Sequence, residues 1–439
     1  MWMVMEAFYQ DEKSIVFNAT SLDVLRTLPD NSIDAVVTDP PYALTGLDTK
    51  KITEALTHWV TDDRSYVPTA GKGFRGMEWD KFVPPPSLWD ECLRVLKPGG
   101  YLLSFAGART QDIMGISIRL SGFEIKDGIG WVTSQGFPKS MNVSKAIDKI
   151  LGGKKVTKED ESIPVEPPAS ALEHASMSPS ESSGNTGRKA TVAPYEHIQP
   201  TTPEAAKWTG YGTSLKPSFE PIIVARKPIS EKNVALNILK YGTGALNIDA
   251  TRVGSTEKDA QGQPLGRWTP NFALAHTEKC IHTGEESDSF VRNRTEEWTG
   301  FGQQEKPEYS TESISFATDI YKCADNCPVR ILAEDSGMAI DSHGNGVTSK
   351  YFPAFMYHKK AAKSEKPVSE DGESHVSVKP LELMRWLVKL VTPEGGVVID
   401  PFLGSGTTME AARLENIRSI GVEAHIPYMG LIKQRIDRT

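Results

Sequence analysis

Residues 13–150, and again the segment from about 375 to the end, alternate strand and helix signals, yet each stretch is too short for a doubly wound sheet. In the first, "SIDAVVTD" is a short apolar run ending in an acid, the pattern of a buried parallel strand. "PSLWDECLRVLKPGG" then places Leu88, Trp89, Cys92, Leu93, Val95 and Leu96 at helical spacing before a stop at Pro98-Gly99-Gly100. "YLLSFAG" reads as strand, "QDIMGISIRLSGF" as a helix closed by glycine, and "EIKDGIGWV" as strand. In the second stretch, "KPLELMRWLVKLV" puts Leu383, Met384, Leu387, Val388 and Val391 on one helical face. "GGVVID", "GTTMEAARLEN", "RSIGVEA" and "IPYMGLIKQRI" continue as strand, helix, strand and helix. Together the two stretches make one discontinuous α/β domain, split by a long insertion.

The intervening sequence changes texture. Residues 151–204 are rich in Ser, Pro, Glu and Lys and nearly free of aromatics, so they are expected to be a disordered or mobile loop. Residues 205–350 are globular in composition but irregular, with many Gly, Thr and Asn. The division is therefore 1–150, 151–204, 205–350 and 351–439. A hydrophobic fraction of 38% and a mean hydropathy of −0.36 fit a soluble protein, and no apolar run reaches membrane-spanning length. The N-terminal "MWMVMEAFYQDEK" lacks a secretory pattern, and four cysteines in 439 residues make no disulfide framework, so a reducing cytoplasm is expected. A net charge of −8 argues against indiscriminate nucleic-acid binding but allows a local basic groove.

Two strand ends carry the chemistry. "DAVVTDPPYALTG" runs a buried strand into Asp39-Pro40-Pro41-Tyr42, a stiff corner poor in backbone donors. Such a corner aims one carboxylate, bare carbonyls and a ring at one point. "VVIDPFLGSGTTMEAA" is a strand, a glycine turn and a helix, with Gly404 and Gly406 where backbone must approach a ligand closely. It carries neither a Walker lysine nor the third dinucleotide glycine, position 409 being Met, so it suits a nucleoside without a pyrophosphate. Glu423 ends the following strand, where an acid can accept hydrogen bonds from ribose hydroxyls.

The pair "TDPPY" and "DPFLGSGTT" resembles the amino-methyltransferases of DNA, which move a methyl group from S-adenosylmethionine to an exocyclic base nitrogen. The catalytic motif precedes a long middle region and the cofactor motif comes last, an order similar to the circularly permuted β class, which implies a Rossmann-like sheet and a middle region that recognises the target. "GWVTSQGFPKSMNVSKAID", "LKYGTGALNID" and "HVSVKPLELMRWLVKLVTPEGGVVIDPFLGSGTT" look like segments of phage and prophage adenine methylases. The resemblance implies that Asp39 and the Pro40 carbonyl accept hydrogen bonds from the target amine, within the motif completed by Pro41. It also implies that Tyr42 stacks on a flipped base. Phe402 then borders the cofactor adenine, Gly404 and Gly406 allow close backbone approach, Asp400 faces the methionine ammonium and Glu423 the ribose. Ser377 and Lys379 match a segment at the cofactor's carboxylate end, and Lys139 in "GFPKS" is a candidate phosphate contact. The sequence departs from the family at Thr20, where many relatives carry Asp, and at Val376 and Ser377.

Asp rather than Ser before Pro-Pro-Tyr favours adenine N6, with cytosine N4 the alternative. Protein-glutamine methylation is disfavoured by motif order, and a catalytically silent DNA-binding homologue by two intact motifs. The implied partner is double-stranded DNA; a homodimer and a separate restriction endonuclease stay open. In the middle region, His276-x3-Cys280 and Cys323-x3-Cys327 could together form one zinc site, with His282 a substitute ligand, or be unrelated thiols.

Overall fold

In the computed structural model, residues 6–44, 48–68, 80–133, 140–152, 200–253, 266–277, 280–295, 309–323, 327–335, 352, 354–355 and 378–439 are described. The strands are β1 (Tyr9–Gln10), β2 (Ser14–Phe17), β3 (Ile33–Thr38), β4 (Leu96–Phe105), β5 (Glu124–Val132), β6 (Phe219–Arg226), β7 (Phe272–Ala275), β8 (Ile281–Thr295), β9 (Tyr309–Lys322), β10 (Ala354–Phe355), β11 (Val397–Asp400) and β12 (Arg418–Val422). Ten of them form one sheet in the order β1-β2-β12-β11-β3-β4-β6-β5-β7-β10, and β8 pairs with β9 alone. From β2 through β4 neighbours run parallel; β6 is antiparallel to both β4 and β5, and β5, β7 and β10 are again parallel. The sheet is thus mixed α/β, and its middle is assembled from the two ends of the chain, as the paired short stretches required.

Every residue of β3 is buried because helices cover both faces. Val36 faces Trp89 and Cys92 of the helix Pro86–Val95, while Ala35 and Val37 face Leu383, Leu387 and Val388 of the helix Leu381–Val391. At the lower end of β3, buried Asp34 binds Lys97 Nζ at 2.6 Å and accepts the Val397 N–H at 2.8 Å. One carboxylate therefore fixes the register of three adjacent strands from different parts of the chain.

The structure differs from the sequence expectation in three places. The helix expected to stop at Pro98-Gly99-Gly100 ends at Val95, and β4 already begins at Leu96. Gly99, at φ +84°, sits within that strand where its register against β3 shifts. A helix over Thr49–Thr61, capped by Asp48 and burying Ala55 and Trp59, is not among the expected elements. The domain limits also move. Compact unit one comprises residues 1–135 and 218–439, and unit two residues 136–217. Strands β6, β7 and β10, inside or just beyond the expected 205–350 insertion, are built into the main sheet instead of standing apart. In unit two, the helix Val143–Ile150 presents Asp148, whose carboxylate accepts the Thr201 and Thr202 N–H groups at 2.8 and 3.0 Å. The expected mobile loop lies almost entirely outside the described residues.

Candidate active site

Parallel strands put their C-terminal ends on one edge, and in open α/β sheets ligands bind along that edge. β3 delivers Asp39-Pro40-Pro41-Tyr42 there, and its neighbour β11 delivers Asp400 and the glycine turn. The two strand ends are tied directly: Asp400 accepts a hydrogen bond from Thr38 Oγ1 at 2.7 Å. The same carboxylate accepts from Thr408 Oγ1 at 2.5 Å and from the Phe402 N–H at 3.0 Å. Asp400 is 3% exposed. Burial pushes its carboxyl up to about 6 against the opposing hydrogen bonds from Thr408, Thr38 and Phe402. Both oxygens are engaged inward, so the geometry makes Asp400 a brace between strand ends instead of a group turned toward a ligand ammonium.

The glycine turn adopts the backbone its sequence announced. Gly404 and Gly406 lie at φ +56° and +89°, and Gly406 caps the helix Thr407–Leu414. Glu423, just beyond β12, accepts the Gly404 N–H on Oε2 at 2.8 Å and the His425 N–H on Oε1 at 2.7 Å. Burial pushes its carboxyl up to about 7, opposed by those backbone hydrogen bonds. Asn18 Nδ2 donates to the Glu423 carbonyl at 2.9 Å, and Ser21 Oγ to the Pro401 carbonyl at 2.6 Å. Thr20 serves as N-cap of the helix Ser21–Thr27. Phe402 is half-buried and packs on the β3–β4 core. A carboxylate against a glycine turn repels phosphate and accepts hydroxyls, so this donor set fits a nucleoside with a diol and no diphosphate.

At the β3 corner a second cluster forms. Lys379 Nζ lies 2.8 Å from Asp39 Oδ2, 3.2 Å from Glu220 Oε2 and 3.1 Å from Tyr42 Oη. The ammonium also sits 4.8 Å from the Phe105 ring centre and 5.3 Å from that of Tyr42. Lys379 is 8% exposed. Burial alone would lower its affinity for a proton, but the carboxylates of Asp39 and Glu220 outweigh it and hold the ammonium well above the ordinary lysine range. Tyr42 Oη donates to Asp39 Oδ1 at 2.5 Å. Its hydroxyl end is enclosed and faces Asp39 and Glu220, which raises its pKa well above the usual value and keeps it a phenol.

The residues after Tyr42 are held by a side chain the sequence did not flag. Buried Asp80 accepts the N–H groups of Tyr42 and Ala43 on Oδ1, each at 2.9 Å, and that of Leu44 on Oδ2 at 3.2 Å. Thr110 Oγ1 donates to the Tyr42 carbonyl at 2.7 Å. Ala43 stands at φ +57°, a left-handed conformation that this clamp sustains. Glu220 was also missed. Its signal was an acid followed by proline and a buried apolar run, "EPIIVAR", a mirror of the Asp39 corner. Because β6 is antiparallel, its start reaches the edge where β3 and β4 end.

Thus Asp39, Pro40, Pro41, Tyr42, Lys379, Asp400, Phe402, Gly404, Gly406 and Glu423 gather along one sheet edge. Lys139 and Ser377 lie outside the described residues. At the far end of the sheet, ligand atoms of His276, Cys280, Cys323 and Cys327 all lie within 4.8 Å of one another, while the His282 side chain is outside the described residues.

Residues 33–434 match the family described as DNA methylase, the N6/N4 group, and the chain belongs to it. It is therefore an S-adenosylmethionine-dependent DNA amino-methyltransferase, acting on adenine N6 or cytosine N4. It is 23% identical over 424 residues to the type II methyltransferase M.HindIII of Haemophilus influenzae, covering 93% of this chain and 90% of that one. It is 32% identical over 143 residues to the type II methyltransferase M.HpaI of Haemophilus parainfluenzae, covering 32% of this chain and 38% of that one. Among solved structures, the cytosine-N4-specific PvuII DNA methyltransferase aligns over 98% of this chain and 89% of that chain, with 12% identity and a TM-score of 0.42. Among the described residues, no helix is long and apolar enough to cross a membrane.

Proposed function

We propose that the chain methylates the N6 amine of adenine in double-stranded DNA, and that the sheet edge around Asp39 is its catalytic site. The observation that carries this reading is the Thr38–Asp400 hydrogen bond, which fixes the amine-accepting corner one strand spacing, about 4.8 Å, from the glycine turn. S-adenosylmethionine, when bound, supplies an electrophilic methyl group on sulfonium sulfur. Glu423 would hold the ribose hydroxyls, Gly404 and Gly406 would admit the nucleoside backbone-close, and Phe402 would border its base. Lys379 is enclosed by Asp39, Glu220 and Tyr42, so its direct part is to orient Asp39.

An exocyclic amine is a poor nucleophile, so positioning and charge stabilisation dominate the task. Asp39 and the Pro40 carbonyl accept the two amine hydrogens and direct the nitrogen toward the methyl. The amine that takes the methyl group would become cationic, and Asp39, accepting one of its N–H groups, would stabilise that charge until one proton passes to solvent. Both Asp39 oxygens are occupied in this structure. In this reading Tyr42 releases Oδ1 as the base enters, and its ring turns toward the base. Breaking one hydrogen bond is thus coupled to forming one stack.

The sheet order supports a circular permutation, with β3 preceding β11 in sequence although they are neighbours in the sheet. Its relatives are type II methyltransferases, which supports a modification role beside a separate restriction endonuclease. The test is nucleoside mass spectrometry of unmethylated DNA incubated with protein and S-adenosylmethionine. N6-methyladenine, absent with Asp39→Ala, is expected. N4-methylcytosine instead would overturn the base assignment and keep the site.

A further inference from the structure

We propose that His276, Cys280, Cys323 and Cys327 bind one structural zinc ion that fastens the β8–β9 hairpin to the edge of the sheet. Three facts converge. All four ligand atoms lie within 4.8 Å of one another, with His276 Nδ1 3.4 Å from Cys323 Sγ and 3.5 Å from Cys327 Sγ. In a tetrahedral site with Zn–S near 2.3 Å and Zn–N near 2.05 Å, the N···S edge is about 3.6 Å. The observed separations match that edge, and none of the three cysteines is in a disulfide.

The chemistry of the set is selective. Three sulfurs and one imidazole nitrogen form a soft, closed tetrahedron that suits zinc and leaves no position for substrate. The surroundings are apolar: Leu274 and Val329 are buried against Cys280 and Cys327. An apolar shell of this kind excludes competing water.

Topology gives the site its purpose. His276 directly follows β7, Cys280 directly precedes β8, Cys323 directly follows β9, and Cys327 opens the helix Pro328–Asp335. Ile281 pairs with Lys322, so Cys280 and Cys323 stand at the base of the hairpin. Among the described residues the hairpin pairs with no strand of the main sheet. One ion would therefore join sheet, hairpin base and helix, reinforcing the apolar cluster that Leu274 and Val329 form with Cys280 and Cys327. Four strand spacings separate β7 from β3 in the sheet order, or about 19 Å, so the ion takes no part in methyl transfer.

The test is elemental analysis of the full-length protein purified without added metal, followed by removal of zinc with a chelator. About one zinc per chain is expected. Cys323→Ser and His276→Ala should each lose it, while S-adenosylmethionine binding persists as a check that the sheet is folded. Chelation should expose Cys280, Cys323 and Cys327 to alkylation, with Cys92 still protected, and should open residues 281–322 to limited proteolysis. Cobalt replacement should give the intense ligand-field and thiolate charge-transfer bands of a tetrahedral site with three sulfur ligands and one nitrogen. Metal-free protein that ignores added zinc, cysteines alkylated equally with and without zinc, or a disulfide between any two of them would overturn the proposal. The readouts are independent of methylation, so failure here and failure of the catalytic reading are distinguishable.

Discussion

Lys379 Nζ stands 2.8 Å from Asp39 Oδ2, joining residues separated by most of the chain. Its ammonium also meets Glu220, so one buried cation serves two carboxylates. Replacing it by methionine leaves Asp39 and Glu220 facing each other without a counter-charge. The expected result for Lys379→Met is a fall in kcat of about 10²-fold or more, with an altered pH–rate profile. Glu220→Gln removes one of the two acids and should cost about tenfold or less. Single-turnover methylation with each variant checks both.

Tyr42→Phe removes the hydroxyl that occupies Asp39 Oδ1 but keeps the ring. Transfer should continue at near wild-type rate. Tyr42→Ala removes the stacking surface as well and should weaken productive DNA binding by about 1–3 kcal/mol. If Tyr42→Phe were as inactive as Tyr42→Ala, the hydroxyl would have a direct catalytic part and the proposed exchange would be wrong.

Asp80 holds three successive backbone N–H groups from a buried position. Asp80→Ala should destabilise the chain by about 1–3 kcal/mol and loosen the Tyr42 corner. Denaturant unfolding reads the first effect. A fall in kcat with little change in cofactor affinity reads the second.

Asp400 and Glu423 have carboxyls pushed up to about 6 and about 7 from ordinary values of 3.8 and 4.5. Between those limits the folded chain keeps protons that the unfolded chain has lost. The stability they contribute is full below the ordinary values and is lost as pH rises through about 6 and about 7. Asp11, whose carboxyl the Arg413 and Tyr9 hydrogen bonds lower to about 2 despite the opposing burial, acts in the reverse sense at lower pH. Thermal melts from pH 5 to 8 should show the decline, and Glu423→Gln should flatten its upper part. Ionised Glu423 is also the better hydroxyl acceptor, so cofactor affinity should rise by up to about tenfold from pH 6 to 8 and lose that dependence in the same variant.

Glu410 lies 3% exposed beneath the glycine turn and binds Arg435, which is 0% exposed, together with Arg438 at 2.8 Å. This pairing fastens the final helix, Tyr428–Ile436, to the helix that follows the turn. Glu410→Ala takes the carboxylate from two guanidiniums, one of them fully buried. A loss of about 3–5 kcal/mol is expected in chemical denaturation.

Local chemistry was legible in the sequence because it is written in local terms. Alternating apolar runs, the Asp39-Pro40-Pro41-Tyr42 corner, the glycines at 404 and 406 and the acid at 423 each act through backbone preferences of neighbouring residues. The need to join the chain's two ends also followed, since neither end could complete a sheet. What only the tertiary structure decided was which remote groups meet. Parallel strands pair through backbone groups common to every residue, so no side-chain pattern states that β11 lies beside β3 or that β6 runs back between β4 and β5. That antiparallel return brings Glu220 to the site edge, the β3–β11 pairing turns Asp400 into a brace, and the tertiary fold sets Asp80 under Tyr42. The four His and Cys ligands were visible as two pairs; their convergence depended on β7 and the hairpin base arriving at the same point.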